Sequence, residues 1–153
     1  MKRLLNKISG SALFIILGIF SLNLYAATAQ LTPVGKWKTI DDVTGKPHSI
    51  IEISKVNDSL EGTITQIFWQ KGDTKNCIKC TGEFYNKPVE GLKILWGFHY
   101  DGNKWVGGKI LDPSNGKIYH ATLQLNNNGE VLNVRGYIGI PLFGRTENWL
   151  RMS

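Results

Sequence analysis

The sequence predicts an all-β domain of eight short antiparallel strands in up-and-down order, closed into a barrel behind an N-terminal signal peptide. Three observations carry that expectation. From Gly35 onward apolar and polar residues alternate with period two, in short runs punctuated by Gly, Pro, Asn and Asp. No stretch after the leader repeats apolar residues at helical spacing. Finally, Gly35-Lys36-Trp37 stands near the start of the patterned region, and Gly144-Arg145-Thr146-Glu147-Asn148-Trp149 stands near its end. A tryptophan on a first strand and an arginine on a last strand meet only where the sheet rolls up, and there the guanidinium stacks on the indole.

The first strand runs near Lys36–Ile40 and ends in the turn residues 41–47. The second, His48–Lys55, places Ile51 and Ile53 on one face and Ile50 on the other. In the third, Leu60–Trp69, Leu60 and Ile64 share one phase but Ile67 and Trp69 share the other, which predicts a bulge or twist between them. A polar segment, Lys71–Gly91, follows; it is the longest irregular stretch, with room for a short helical turn. The fourth strand, Leu92–Tyr100, puts Leu92, Ile94, Trp96, Phe98 and Tyr100 on one face. Asp101-Gly102-Asn103 turns it into the fifth, Lys104–Leu111. Asp112-Pro113-Ser114-Asn115-Gly116-Lys117 is turn chemistry leading to the sixth, Ile118–Leu125. The seventh, Val131–Ile140, is joined through Pro141-Leu142-Phe143-Gly144 to the eighth, Arg145–Met152. Tight turns between neighbours favour a meander, and closure removes the edges that an open sheet would expose.

Residues 1–29 read as the signal peptide. Lys2, Arg3 and Lys7 form its basic region, Ala12–Phe20 its apolar core, and Ala27-Thr28-Ala29 the small-residue cleavage site, with Ala26 as the alternative. The uncharged run Ile8–Tyr25 stands at the lower limit for a membrane span, so cleavage rather than anchoring is expected. With no cysteine near the leader, lipid modification there is excluded. Residues 30–153 then form one domain, periplasmic or secreted and not an integral membrane protein after cleavage. The chain has 18 Lys and Arg against 12 Asp and Glu, but three of the bases sit in the leader, leaving a mild net +3 scattered along the domain. That balance points away from nucleic acid.

Five elements occur together and in order: Gly35-Lys36-Trp37; Cys77-Ile78-Lys79-Cys80; Asp112-Pro113 with Gly116-Lys117 and Tyr119; Val134-Arg135-Gly136-Tyr137-Ile138-Gly139; and Gly144-Arg145-Thr146 with Trp149. Over essentially the whole domain this resembles the exported bacterial family known as domain of unknown function 2147. The resemblance implies a lipocalin-like barrel in the envelope of Gram-negative bacteria and carries no secure activity.

The candidate residues follow from the barrel. Gly35, Trp37 and Arg145 are assigned to its closed end, with Arg151 as the alternative partner of Trp37. Trp96, Phe98, Tyr100, Tyr119 and Tyr137 are assigned to the wall of a ligand cavity; a core packed solid with the same side chains is the competing reading. Arg135 shares a face with Val131 and Tyr137 and is expected to point outward, since inward it would be a buried charge in need of a partner. Cys77 and Cys80 are expected to form a structural disulfide, because export favours one. The alternatives lack context: no strand–helix unit for redox chemistry, no histidine after Cys80 for haem, and His48, His99 and His120 scattered rather than set as zinc ligands. No cofactor or metal site is read, and no nucleophile elbow or paired-carboxylate setting surrounds Glu52, His99 or Asp112, so an enzyme is not expected. The expectation is a binder of a small apolar or amphipathic molecule. The alternative is a solid-core module that meets an envelope protein through the Cys77–Cys80 loop.

Overall fold

The structure is a computed structural model and describes residues 31–41 and 44–153. The expected signal peptide, residues 1–29, lies outside the described residues. Eight strands follow one another: β1 (Gly35–Ile40), β2 (Pro47–Val56), β3 (Ser59–Ile67), β4 (Lys93–Tyr100), β5 (Trp105–Asp112), β6 (Lys117–Asn126), β7 (Val131–Tyr137) and β8 (Arg145–Arg151). Each pairs antiparallel with the next, and β8 returns to β1 through Trp37↔Arg151 and Lys38↔Leu150, closing the barrel. The period-two pattern is visible in burial. Ile51 and Ile53 are buried while Glu52 and Ser54 are exposed, and Leu132 and Val134 are buried between half-exposed neighbours. Each such side chain taken out of water contributes roughly 1.5–3 kcal/mol before the chain-ordering cost.

The bulge expected in β3 is present. Ile51 pairs with Ile64 but Ile50 pairs with Gln66, so Thr65 is the extra residue and Ile67 re-enters the inward phase opposite Ser49. Residues 82–84 supply the short helical turn in the segment between β3 and β4.

The regular alternation expected along the fourth strand is corrected by a bulge. Gly97 has φ +82°, and β4 fits an extra residue against β3, with Leu60↔Phe98 but Gly62↔Leu95. Leu95 and Phe98 therefore both face the lumen, and Trp96 is turned outward opposite Lys109. Gly107 on β5, with φ +75°, repeats the device against β6. The seventh strand is shorter than its pattern suggested. It stops at Tyr137 because Gly139 takes φ +73° and Pro141 begins a 3-10 turn, Pro141–Phe143.

Closure divides the barrel into two ends. At one end lie residues 31–34 and the β2–β3, β4–β5 and β6–β7 turns. At the other lie the β1–β2 turn, the long β3–β4 segment and the β5–β6 and β7–β8 turns.

Candidate functional site

The first end is plugged. Trp37 is fully buried, and its indole Nε1 donates to the Pro33 carbonyl at 2.7 Å. The Arg151 guanidinium lies 4.2 Å from the centroid of the Trp37 ring. It also donates to three carbonyls, Gly129 at 2.6 Å, Val34 at 3.1 Å and Thr32 at 2.8 Å. Gly35 has φ +132°, and a Cβ there would stand 3.0 Å from Arg151 Nη1, so the glycine of Gly-x-Trp leaves room for the arginine as well as the turn. Arg145, the first choice for this contact, is corrected to Arg151. Register decides it: Arg151 pairs with Trp37, whereas Arg145 pairs with Gly136, six residues or about 20 Å up β8.

Above the plug the lumen is packed. Two lumen-facing glycines are filled by side chains from neighbouring strands. A Cβ on Gly108 would lie 2.4 Å from the Phe98 ring, and one on Gly62 would lie 2.8 Å from Leu95 Cδ1. Leu123, Leu132, Ile51 and Ile53 complete this layer. The interior is thus solid from Trp37 up to Phe98 and Leu95.

Toward the second end the lining changes. Ile64, Ile67 and Ala121 are buried there, and so are Thr39 and Ser49, whose hydroxyls share a 2.8 Å hydrogen bond. Ile110, Tyr119, Gly136 and Glu147 face the same space by register but are only half-buried. Trp149 Nε1 donates to Glu147 Oε2 at 3.0 Å, and Arg145 Nη2 approaches Glu147 Oε1 at 3.7 Å. The mouth is therefore partly apolar, with hydroxyls and one ion pair. The sequence pattern missed Glu147, Thr39 and Ser49. The period of β8 marks Glu147 once Trp149 is known to face inward, but nothing local marks the Thr39–Ser49 pair.

The five expected wall residues separate. Phe98 is inside but fully buried, as packing rather than cavity wall. Tyr119 lines the mouth, its hydroxyl accepting from Asn115 Nδ2 at 3.0 Å. Tyr100 is corrected to the plugged end, where its hydroxyl donates to the Gly102 carbonyl and its ring lies 4.5 Å from that of Trp105. Trp96 is corrected to the outer face by the Gly97 bulge and stacks on Phe84 at 5.7 Å. Tyr137 is also outside, stacked on His120 at 5.7 Å, because Val134 and Gly136 hold the inward phase of β7. Arg135 points outward as expected, donating to the Pro141 and Leu142 carbonyls and to Thr146 Oγ1.

Cys77 and Cys80 are joined in a disulfide, with Cα atoms 5.4 Å apart. Both are buried. Their loop lies down on the β5–β6 turn: Cys77 Sγ contacts the Pro113 carbonyl, Lys79 Nζ donates to the Ser114 carbonyl, and a Cβ on Gly116 would stand 1.9 Å from the Lys79 carbonyl oxygen. Beneath the loop Leu111, outward by register, is buried as well. Among the described residues no group of three or more His, Cys, Asp or Glu is placed to hold a metal ion, and no helix is long and apolar enough to cross a membrane.

Comparison with known proteins agrees with this architecture. A solved structure of protein HP1028 from the human pathogen Helicobacter pylori, which belongs to the lipocalin family, is similar at a TM-score of 0.69 and 22% sequence identity, over 80% of this chain and 84% of that one. That identity speaks to the fold alone. No curated protein matches the chain. The family model for uncharacterized proteins conserved in bacteria, DUF2147, matches residues 35–151, and the chain belongs to that family.

Proposed function

We propose that the chain is an exported protein of the bacterial envelope that binds a small apolar or amphipathic molecule through the open end of its barrel. The asymmetry of the lumen carries this reading. One end is sealed by Trp37 and Arg151 and filled up to Phe98 and Leu95, whereas Ile110, Tyr119 and Glu147 face the lumen at the other end and remain half-buried. Apolar walls with a few fixed polar groups are the usual lining of a small-molecule site, and lipocalin-like barrels hold one ligand of this kind. The ligand would sit high in the barrel, on Phe98 and Leu95 as a floor. The leader expected over residues 1–29 supports export to the periplasm or beyond.

The alternative, a module meeting an envelope protein through the Cys77–Cys80 loop, has less behind it, since the loop is packed down on the β5–β6 turn with both sulfurs buried. The binding reading is tested by titrating the purified protein with N-phenyl-1-naphthylamine, a neutral lipophile that fluoresces out of water. Saturable one-to-one enhancement is expected, reduced at least tenfold in affinity by Ile110→Trp, which fills the mouth. No enhancement with this or other neutral lipophiles would remove the reading.

A further inference from the structure

We propose that the bound molecule is an anionic amphiphile whose charged group is held outside the lumen, on the barrel rim between Lys46 and Lys71. This rests on the binding reading above and adds the ligand's charge and the place of its head. The observation is a recess of about 640 Å³ lined by Lys46, Pro47, Phe68, Trp69, Gln70 and Lys71. It lies at the open end, where the β1–β2 turn meets the chain leaving β3. Pro47, Phe68 and Trp69 give it an apolar and aromatic lining, and among the described residues its two charged lining side chains are both cations. Trp69 is 43% exposed, a large indole left half in water. The aromatic lining fits an apolar body and the two ammonium groups fit an anionic head.

Backbone hydrogen bonds border the recess. Phe68 N donates to the His48 carbonyl at 2.8 Å, prolonging the β2–β3 ladder beyond the strand. Beside it the Lys46 carbonyl accepts from Asp41 N at 2.9 Å, and Gly45 N donates to the Asp41 carbonyl at 2.8 Å. Lys71 sits in a turn closed by Gln70 N on Asp73 Oδ2 at 2.7 Å and Asp73 N on the Gln70 carbonyl at 3.1 Å. Among the described residues the nearby carboxylates are engaged: Asp41 accepts from Thr44 N and Oγ1, Asp73 from Gln70 N, and Glu90 from Ile67 N at 2.8 Å. Inside the mouth, by contrast, Arg145 is already opposed by Glu147. In this proposal the apolar part enters the lumen and the rim takes the charge.

Two probes sharing an arylaminonaphthalene body separate these roles: 8-anilinonaphthalene-1-sulfonate, which carries a sulfonate, and N-phenyl-1-naphthylamine, which does not. The wild-type protein is expected to bind the sulfonate more tightly. The double variant Lys46→Glu/Lys71→Glu should lose about tenfold or more of that affinity while neutral-probe affinity changes less than about twofold. Both lysines line an open recess, and an unchanged circular dichroism spectrum confirms the fold. The milder Lys46→Gln/Lys71→Gln should fall between. Sulfonate binding unchanged in the Glu variant, or lost in step with the neutral probe, overturns the rim assignment and leaves the lumen reading in place. No binding of the neutral probe by the wild type, whether or not the sulfonate binds, overturns both.

Discussion

Arg151 stacks on Trp37 at 4.2 Å while donating to the carbonyls of Thr32, Val34 and Gly129. One guanidinium thus ties together β8, β1, the segment before β1 and the β6–β7 turn. Its fork and its flat face are both used, which lysine cannot reproduce. Arg151→Ala is expected to cost about 2–4 kcal/mol in denaturant unfolding, from three charge-assisted bonds and the ring contact. Arg151→Lys should recover less than half of that. Arg145→Ala, at an exposed ion pair, should stay within about 1 kcal/mol of wild type. Equal losses at the two positions would contradict the assignment.

Gly108 is a packing glycine. Adding a methyl group drives a Cβ to 2.4 Å from the Phe98 ring. Gly108→Ala should therefore destabilise by about 1–3 kcal/mol. Phe98→Leu costs stability alone, yet in the double variant it should restore part of the Gly108→Ala loss. A double-mutant cycle with no coupling would mean that the lumen is looser here than described.

The disulfide pins a loop and does not hold up the barrel. Cys77 and Cys80 are three residues apart, so the chain-entropy model gives about 2 kcal/mol for closing so short a loop. Cys77→Ser/Cys80→Ser should lower the unfolding midpoint by that order and leave the far-ultraviolet spectrum unchanged. Hydrogen exchange should quicken in residues 75–92 before it quickens in β6 or β7. Global unfolding on reduction would refute this division.

Asp101 gives the β4–β5 hairpin a pH dependence. Its carboxylate accepts from Lys104 N and Asn103 N, both at 2.9 Å, and these bonds hold its pKa below the usual 3.8. A depressed folded-state pKa means stability that is present above the unfolded value and is lost as pH falls through the folded one. Between neutral pH and about pH 5 its contribution should be constant; below pH 4 it should decline. Asp101→Asn should flatten that part of the acid limb in a melting series against pH.

The fold was legible because each strand carries its own period and each turn its own Gly, Asn, Asp or Pro. The Leu60/Ile64 to Ile67 phase change even located the β3 bulge. The site was less legible, for two reasons. Alternation fails wherever a strand contains a bulge, and Gly97 shifted Trp96 outside while turning Leu95 in. Gly97 inside an aromatic run was the available signal. Register between first and last strands is not encoded in either strand alone, so Arg145 and Arg151 were indistinguishable until Trp37↔Arg151 fixed the pairing. Tyr137 needed the phase of its strand: Leu132 and Val134 take the inward positions, and the tyrosine follows Arg135 outward. The rim recess joins two turns distant in sequence, and no local motif announces it.

The central claim, a ligand received at the open end of the barrel, is tested most directly by isoleucine methyl NMR during titration with N-phenyl-1-naphthylamine. Saturable shifts are expected at Ile64, Ile67 and Ile110, with Ile53 near the plugged end unmoved. Shifts confined to exposed Ile78, Ile118, Ile138 and Ile140 would place the ligand outside the barrel and contradict the claim.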